Sequence, residues 1–416
     1  MEQMKSSIQR HLNHPQELER LYRMNRLYFK REFNRLYPEL EGNAIANTWN
    51  ERLNYETDEI NWGTRKEVLF VILIALAAGI LAKLPAFLSI DKDFFYSRNI
   101  GFIIFPMLTA YFAWKNKLSI GKIAIITGTT FIGLLFINLF PDVQESDTLM
   151  LSCLHIPLFL WSILGFAFVG GKQNNREERL EFLTYNGELV VITTLFVIAG
   201  ALMTGITIGL FSLIGFDIEE FYFENIVIFV LPSAPIIGTY LAQVNPQLVS
   251  KVSPVIAKIF SPLVLVMLLI YLAAMVYAGK NPYNDREFLL IFNLLLVGVM
   301  AIIFFSVAEA SQPKSKTGIA VLFLLSAITL VVNGIALSAI VFRISEWGFT
   351  PNRTAVLGSN LLILINLIVV ATQLFKVLSK KTDITGVSKT IAFYLPIYVL
   401  WTIIVTFIFP LIFGFK

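Results

Sequence analysis

Two arginines, a glutamate and a threonine fall together in the stretch Phe342-Arg343-Ile344-Ser345-Glu346-Trp347-Gly348-Phe349-Thr350-Pro351-Asn352-Arg353. Their types suit anion or lipid-headgroup binding. Arg343 and Arg353 carry guanidinium forks that match a phosphate, and the free amides of a helix beginning at Pro351 would add donors. The same residues have a plainer use, in which Arg343 pairs with Glu346 and both arginines anchor at headgroups beside Trp347. Thr350 before Pro351 reads as an N-cap with proline at the first helical position, and Gly348 suits a positive φ. The pattern predicts a helix end, a tight turn and a new helix start.

A second group of candidates is buried in apolar sequence. Asn293, Asn333, Asn360, Asn366 and Gln373 lie within or near the ends of the last four long apolar spans. Amides in hydrocarbon must find partners, either across helices or along a solvated pathway. Pro232 and Pro235 stand three apart in the middle of another span, where each removes a backbone donor and crowds the preceding turn. That predicts either a kink repaired by neighbours or a break whose carbonyls line a cavity. Pro106, Pro157 and Pro396 are expected to kink their own helices. Ala201, Gly205 and Gly209 recur every four residues, a pattern that lets helices approach closely, within the chain or between copies. Asp91-Lys92-Asp93 offers two carboxylates in a predicted loop, able in principle to act as a base or hold a metal, although paired aspartates commonly serve turns.

Other chemistries lack their residues. Cys153 is the single cysteine and His11, His14 and His155 the only histidines, with no His-Glu-x-x-His and no Gly-x-x-x-x-Gly-Lys-Ser/Thr, so thiolate cages, zinc hydrolysis and P-loop chemistry are not expected. No cofactor and no catalytic residue set is expected. A net charge of +4 is too small to argue for nucleic acid.

The elements that must position these residues follow from hydropathy. Of the 62 charged residues, 22 lie in residues 1–67, which divides the chain into a polar head, 1–67, and a body, 68–416. The fold class is an all-α membrane protein, a bundle of about eleven transmembrane helices with a small cytoplasmic helical region at its N-terminus. The spans run approximately over 68–90, 100–114, 123–140, 149–169, 189–214, 226–244, 263–278, 288–308, 318–342, 355–375 and 391–413, judged against the roughly 17 to 25 residues that cross a bilayer. The second is short, and a backward extension through Tyr96 and Phe95 would lengthen it. Placing the head inside puts 25 of the 33 Lys and Arg on that face, so the N-terminus is expected to be cytoplasmic and the C-terminus outside. In the head, Leu18, Leu21, Tyr22, Tyr28, Phe29, Phe33 and Leu36 fall mostly on one side of a helix from Pro15 to about Tyr37, and Ile45, Trp49 and Leu53 on a second. This amphipathic pattern suits a membrane surface, a cytoplasmic partner bound through residues 1–60, or a small hairpin packed on itself or on the body's cytoplasmic loops.

Together with its continuation Thr354-Ala355-Val356-Leu357-Gly358-Ser359-Asn360, the arginine-rich stretch resembles a family of bacterial multispan membrane proteins catalogued only as a domain of unknown function. Arg343, Glu346, Gly348, Thr350, Arg353, Gly358 and Asn360 match its Arg-x-x-Glu-x-Gly-x-Thr-x-x-Arg pattern and the Gly-x-Asn that follows. Gly279-Lys280-Asn281-Pro282-Tyr283 is also similar. The resemblance implies a bacterial inner membrane and no substrate. The functional expectation is a transporter-like or permease-like protein in contact with membrane lipids, as a single chain or as a homo-oligomer. The alternatives are an assembly or sensing protein acting through its head, and an envelope glycosyl or phosphoryl transferase centred on Asp91 and Asp93.

Overall fold

The computed structural model describes residues 2–24, 26–40, 42–54, 62–141, 143, 146–170, 176–213, 217–246, 261–266, 268–270, 272–273, 283, 286–308, 316–381 and 383–416. They form two compact units, residues 1–62 with 244–246 and residues 63–243 with 247–416.

The first unit holds α1 (Glu2–Arg10), α2 (Pro15–Met24), α3 (Arg26–Leu40) and α4 (Ala44–Asn54). Asn43 starts α4, its Oδ1 accepting from the amides of Ile45 and Ala46 at 2.9 and 3.1 Å, which satisfies donors that a helix start leaves over. The apolar stripe turns inward. Leu18, Phe29, Phe33 and Leu36 are buried with Ile8, Ala46 and Trp49, and the rings of Tyr22, Phe29 and Trp49 meet at centroid distances of 5.2 to 5.8 Å. Among the described residues of this unit only Trp62 exposes a large hydrophobic side chain. The stripe therefore builds a core of its own. α3 runs on through Pro38 instead of stopping before it.

The second unit contains α5 (Arg65–Ala82), α6 (Leu84–Leu88), α7 (Lys92–Lys115), α8 (Ile120–Asn138), α9 (Asp147–Phe168), α10 (Arg176–Leu213), α11 (Glu219–Tyr222), α12 (Ile228–Val244), α13 (Arg286–Ala308), α14 (Lys316–Trp347), α15 (Pro351–Leu378), α16 (Thr385–Ile403) and α17 (Phe409–Ile412), with π-helical turns at Phe223–Val227 and Ile404–Ile408. Among the described residues, seven stretches are long and apolar enough to cross a membrane: Ile120–Asn138, Asp147–Phe168, Arg176–Gly205, Glu219–Val244, Lys316–Trp347, Pro351–Leu378 and Thr385–Ile412. The first two predicted spans correspond to α5 and α7, and the eighth to α13. Much of the seventh, together with Glu309 and residues 279–282, lies outside the described residues.

The short second span gains length from its cap. Asp91 accepts from the Phe94 amide at 2.7 Å, so α7 starts at Lys92 rather than Ile100 and covers Phe95 and Tyr96. In the expected loop, Asp91 is thus an N-cap and Asp93 sits in the first helical turn, where its charge complements the helix dipole.

α7 packs between α5 and α9, α9 reaches α15, α16 and the second π-helical turn, and α10 packs on α13 and α16. α14 and α15 pair along their length, and a core of Leu325, Val332, Ala336, Leu367 and Val370 lies between them and their neighbours. Outward faces stay apolar: Leu69, Leu73, Leu76 and Ile80 of α5 and Ile125 and Ile132 of α8 are exposed, as a hydrocarbon surrounding favours. Ala201 and Gly205 of α10 are also exposed, and a Cβ added at Gly205 would meet nothing within 4 Å. At these two positions no helix among the described residues covers the small-residue stripe.

Candidate functional site

The arginine-rich turn is built as a clasp. Thr350 caps α15, its hydroxyl accepting from the Arg353 amide at 3.3 Å, with Pro351 opening the helix. Gly348 ends α14 at φ +72°, a left-handed conformation in which a side chain would be strained. Arg353 turns back across the gap, its Nη1 donating to the Trp347 and Gly348 carbonyls at 2.8 Å each. It thereby satisfies carbonyls that the end of α14 leaves open. Arg343 and Arg353 both approach the Trp347 ring, at 5.5 and 5.7 Å from its centroid. The expected Arg343–Glu346 pair is not formed. Arg343 instead reaches the ring one helical turn further on, and Glu346 is exposed, with no ion pair among the described residues.

The amides come together in the middle of the last long helices. Asn333 lies about 26 Å along α14, and Asn360 and Asn366 about 14 and 23 Å along α15, at 1.5 Å per residue. All three are buried, at 0%, 1% and 0% exposure. Asn360 Nδ2 donates to Asn293 Oδ1 of α13 at 3.0 Å, Asn333 Nδ2 to the Asn360 carbonyl at 3.2 Å, and Asn366 Nδ2 to the Tyr398 hydroxyl of α16 at 2.9 Å. The first two contacts join α13, α14 and α15, and the third, six residues further along α15, joins it to α16. Both sets are incomplete, because Asn333 Oδ1 and Asn366 Oδ1 are buried with no hydrogen-bond partner. A carbonyl can only accept, so the Asn360 contact fixes which side of the Asn333 amide is nitrogen and which is the orphaned oxygen. Tyr398 can donate or accept, so Asn366 is free to flip, yet one of its polar atoms is left over either way. Gln373 is half-buried near Gly386 and joins neither set. The wall beside it is tight. Trp401 donates from its indole to Ser359 Oγ at 2.9 Å, and a Cβ added at Gly358 would lie 2.1 Å from the Trp401 ring.

Pro232 and Pro235 do not interrupt their helix. α12 runs through both, and the departure from α geometry is the π-helical turn Phe223–Val227 before it. Ser233 stays within reach of the carbonyls of Phe229, at 2.6 Å, and of Ala75 on α5, at 3.3 Å. Phe229 in turn lies over Gly79 so closely that an added Cβ would meet it at 2.2 Å. Two prolines elsewhere show the repair by neighbours directly. A proline frees the carbonyl four residues earlier, and a side chain from another helix fills the place. Pro396 frees Ala392, which accepts from Arg179 of α10 at 3.3 Å; Pro410 frees Thr406, which accepts from Ser152 of α9 at 2.9 Å.

Two further polar sets carried no signal in the sequence. Asn99 of α7 and Asn138 of α8 exchange two bonds, at 2.9 and 2.8 Å. Glu67 of α5 accepts from the buried Tyr111 hydroxyl at 2.8 Å, and Lys115, over the same ring, donates to Gln243 of α12 at 3.0 Å. A shallow depression of about 530 Å³, lined by Glu67, Trp114, Lys115 and Lys117, opens beside this second set. No group of three His, Cys, Asp or Glu able to hold a metal occurs among the described residues.

The chain is thus a helical protein with several membrane-length apolar helices and a buried amide cluster. No protein-family model matches it, and comparison with curated proteins and with solved structures gives no match.

Proposed function

We propose that this chain is a transporter-like or permease-like integral membrane protein whose working site is the amide cluster of α13 to α16. The carrying observation is the pair of orphaned amide atoms on Asn333 and Asn366, in the middle of helices long enough to span a bilayer. A buried polar atom without a partner costs about 1 to 3 kcal/mol, and a set of amides kept for packing alone has no reason to carry two. In this reading the bundle has eleven spans in a bacterial inner membrane, the N-terminus is cytoplasmic and the C-terminus outside, and Arg343 and Arg353 hold the outer end of α14 at the headgroups. The sequence pattern of Arg343 to Asn360 and the bias of Lys and Arg in the loops support it. Flux of neutral and charged solutes into proteoliposomes tests it: faster entry of at least one solute than in protein-free vesicles is expected, and entry of none across a broad panel would reject the reading.

An assembly or sensing role is the second reading. It is favoured by the first unit having its own buried aromatic core, which a mere tail would not need. Deletion of residues 1–60 should abolish such a role and leave flux largely intact. The transferase reading loses its motive, because the Asp91 carboxylate is occupied in capping α7.

A further inference from the structure

We infer that the amide cluster binds a small uncharged solute bearing N–H or O–H donors, of the urea, carboxamide or polyol type. The inference rests on the transporter-like reading and adds to it the chemical class of the ligand. Three observations carry it. Asn333 presents an oxygen that is buried, lacks a partner and, by the Asn360 carbonyl contact, is fixed as an acceptor. Around it the described buried side chains of α13 to α16 are apolar or neutral; none is charged. A solute with net charge would meet no counter-charge among these side chains and would lose its hydration in hydrocarbon-like surroundings. Finally, the Asn366–Tyr398 contact leaves one donor and one acceptor over in either orientation of the amide: the Tyr398 proton beside Asn366 Oδ1 or, with the amide turned round, Asn366 Nδ2 beside the Tyr398 oxygen. An acceptor and a donor side by side match a group such as –CO–NH– or –CH–OH, which offers both.

The pairing also discriminates. A site whose polar atoms wait for hydrogen bonds rejects an apolar molecule of the same shape, because that molecule would leave them unpaired.

The experiment uses the full chain in proteoliposomes, with urea and glycerol as neutral probes and acetate and ammonium as charged ones, each followed by stopped-flow light scattering. Entry of urea or glycerol at least tenfold faster than in protein-free vesicles is expected, with most of that gain lost in Asn333→Leu/Asn366→Leu. The gentler Tyr398→Phe, which keeps the ring, should lower neutral-solute entry severalfold and serves if the double variant does not fold. Faster entry of acetate or ammonium alone overturns the ligand class and leaves the transporter-like reading standing. Faster entry of no probe in this set overturns the class as well, and the broader panel decides the transporter-like reading. Neutral entry unchanged in Tyr398→Phe and in a folded double variant overturns the assignment of the site.

Discussion

Asn99 with Asn138, at the end of α8, and Asn333 with Asn360 and Asn366, buried in mid-helix, put the same side chain between helices and finish the job differently. The first two amides face each other across α7 and α8 and exchange two hydrogen bonds, so that each answers the other. In the second set each amide nitrogen finds an acceptor on another helix or its carbonyl, yet Asn333 and Asn366 keep oxygens without partners. Reciprocal pairing marks an amide used to join helices, since nothing further is asked of it. On the function proposed above, open valence marks one with another task, because selection for stability alone would have replaced it by Leu or completed it.

Rigidity of the wall is the first point at which this contrast can be broken. An open valence is kept only where the surroundings cannot collapse to fill it, and Trp401, pinned by Ser359 over Gly358, is the tightest contact there. Gly358→Leu should cost about 3 kcal/mol by overpacking, seen as a large fall in thermal midpoint in detergent or as failure to accumulate. A midpoint near that of the parent would mean that the wall yields and the cluster is soft.

Next in size is the reciprocal pair. Asn99→Leu removes two bonds and leaves the Asn138 amide without them, a loss of about 2 kcal/mol. Asn99→Leu/Asn138→Leu should regain most of it, because no orphan is left. The cycle is read from midpoints of the single and double variants, and a double variant no better than the single would deny that the two amides act as a unit.

Asn333→Leu is expected to behave in the opposite manner. It removes one bond to a carbonyl inside α15 and, with it, an orphaned oxygen, so stability should stay within about 1 kcal/mol of the parent or rise. A fall as deep as that of Asn99→Leu would erase the distinction between the two sets.

How much of this could be read from the chain depends on how local each cause is. The turn at Gly348 to Pro351 was legible because a cap, a proline and a glycine declare themselves to their immediate neighbours, and Thr350 and Gly348 stand as those types require. The apolar stripe of the head was legible as a stripe; what it covers was not, since Trp49 closes the core from another helix. Asn333 and Asn360 drew attention as amides in apolar sequence, but their partnership depends on two helices meeting at one height. Asn99 and Asn138 were missed for the same reason, each lying near the end of a predicted span where a polar residue raises no question. The carbonyl contacts of Arg353 were hidden by distance: five and six residues back along the chain, the Gly348 and Trp347 carbonyls come within 2.8 Å only once the turn has folded.

The smallest effect belongs to a pairing placed in water. Glu19 of the head is held by Arg23 at 2.7 Å and Arg52 at 2.8 Å, so that, like Asn99, it has two bonds to answer it. Arg23's hydrogen bond, chiefly, and the charge of Arg52 hold its carboxyl below the ordinary value of 4.5, against the opposing effect of partial burial. A depressed carboxyl contributes stability that is complete above the unfolded value and lost as the pH falls through the folded one. The contribution should therefore be present above about pH 4.5 and disappear below it. Both arginines are at least half exposed, so screening keeps it under about 1 kcal/mol. Glu19→Gln should lower the stability of the head slightly at pH 7 and not at pH 3, and 0.5 M salt should shrink the difference, as chemical denaturation followed by tryptophan fluorescence would show. An effect at pH 7 as large as that of Asn99→Leu would mean that water does not weaken the pair, and that the number of partners, rather than the medium around them, sets what a polar contact is worth in this protein.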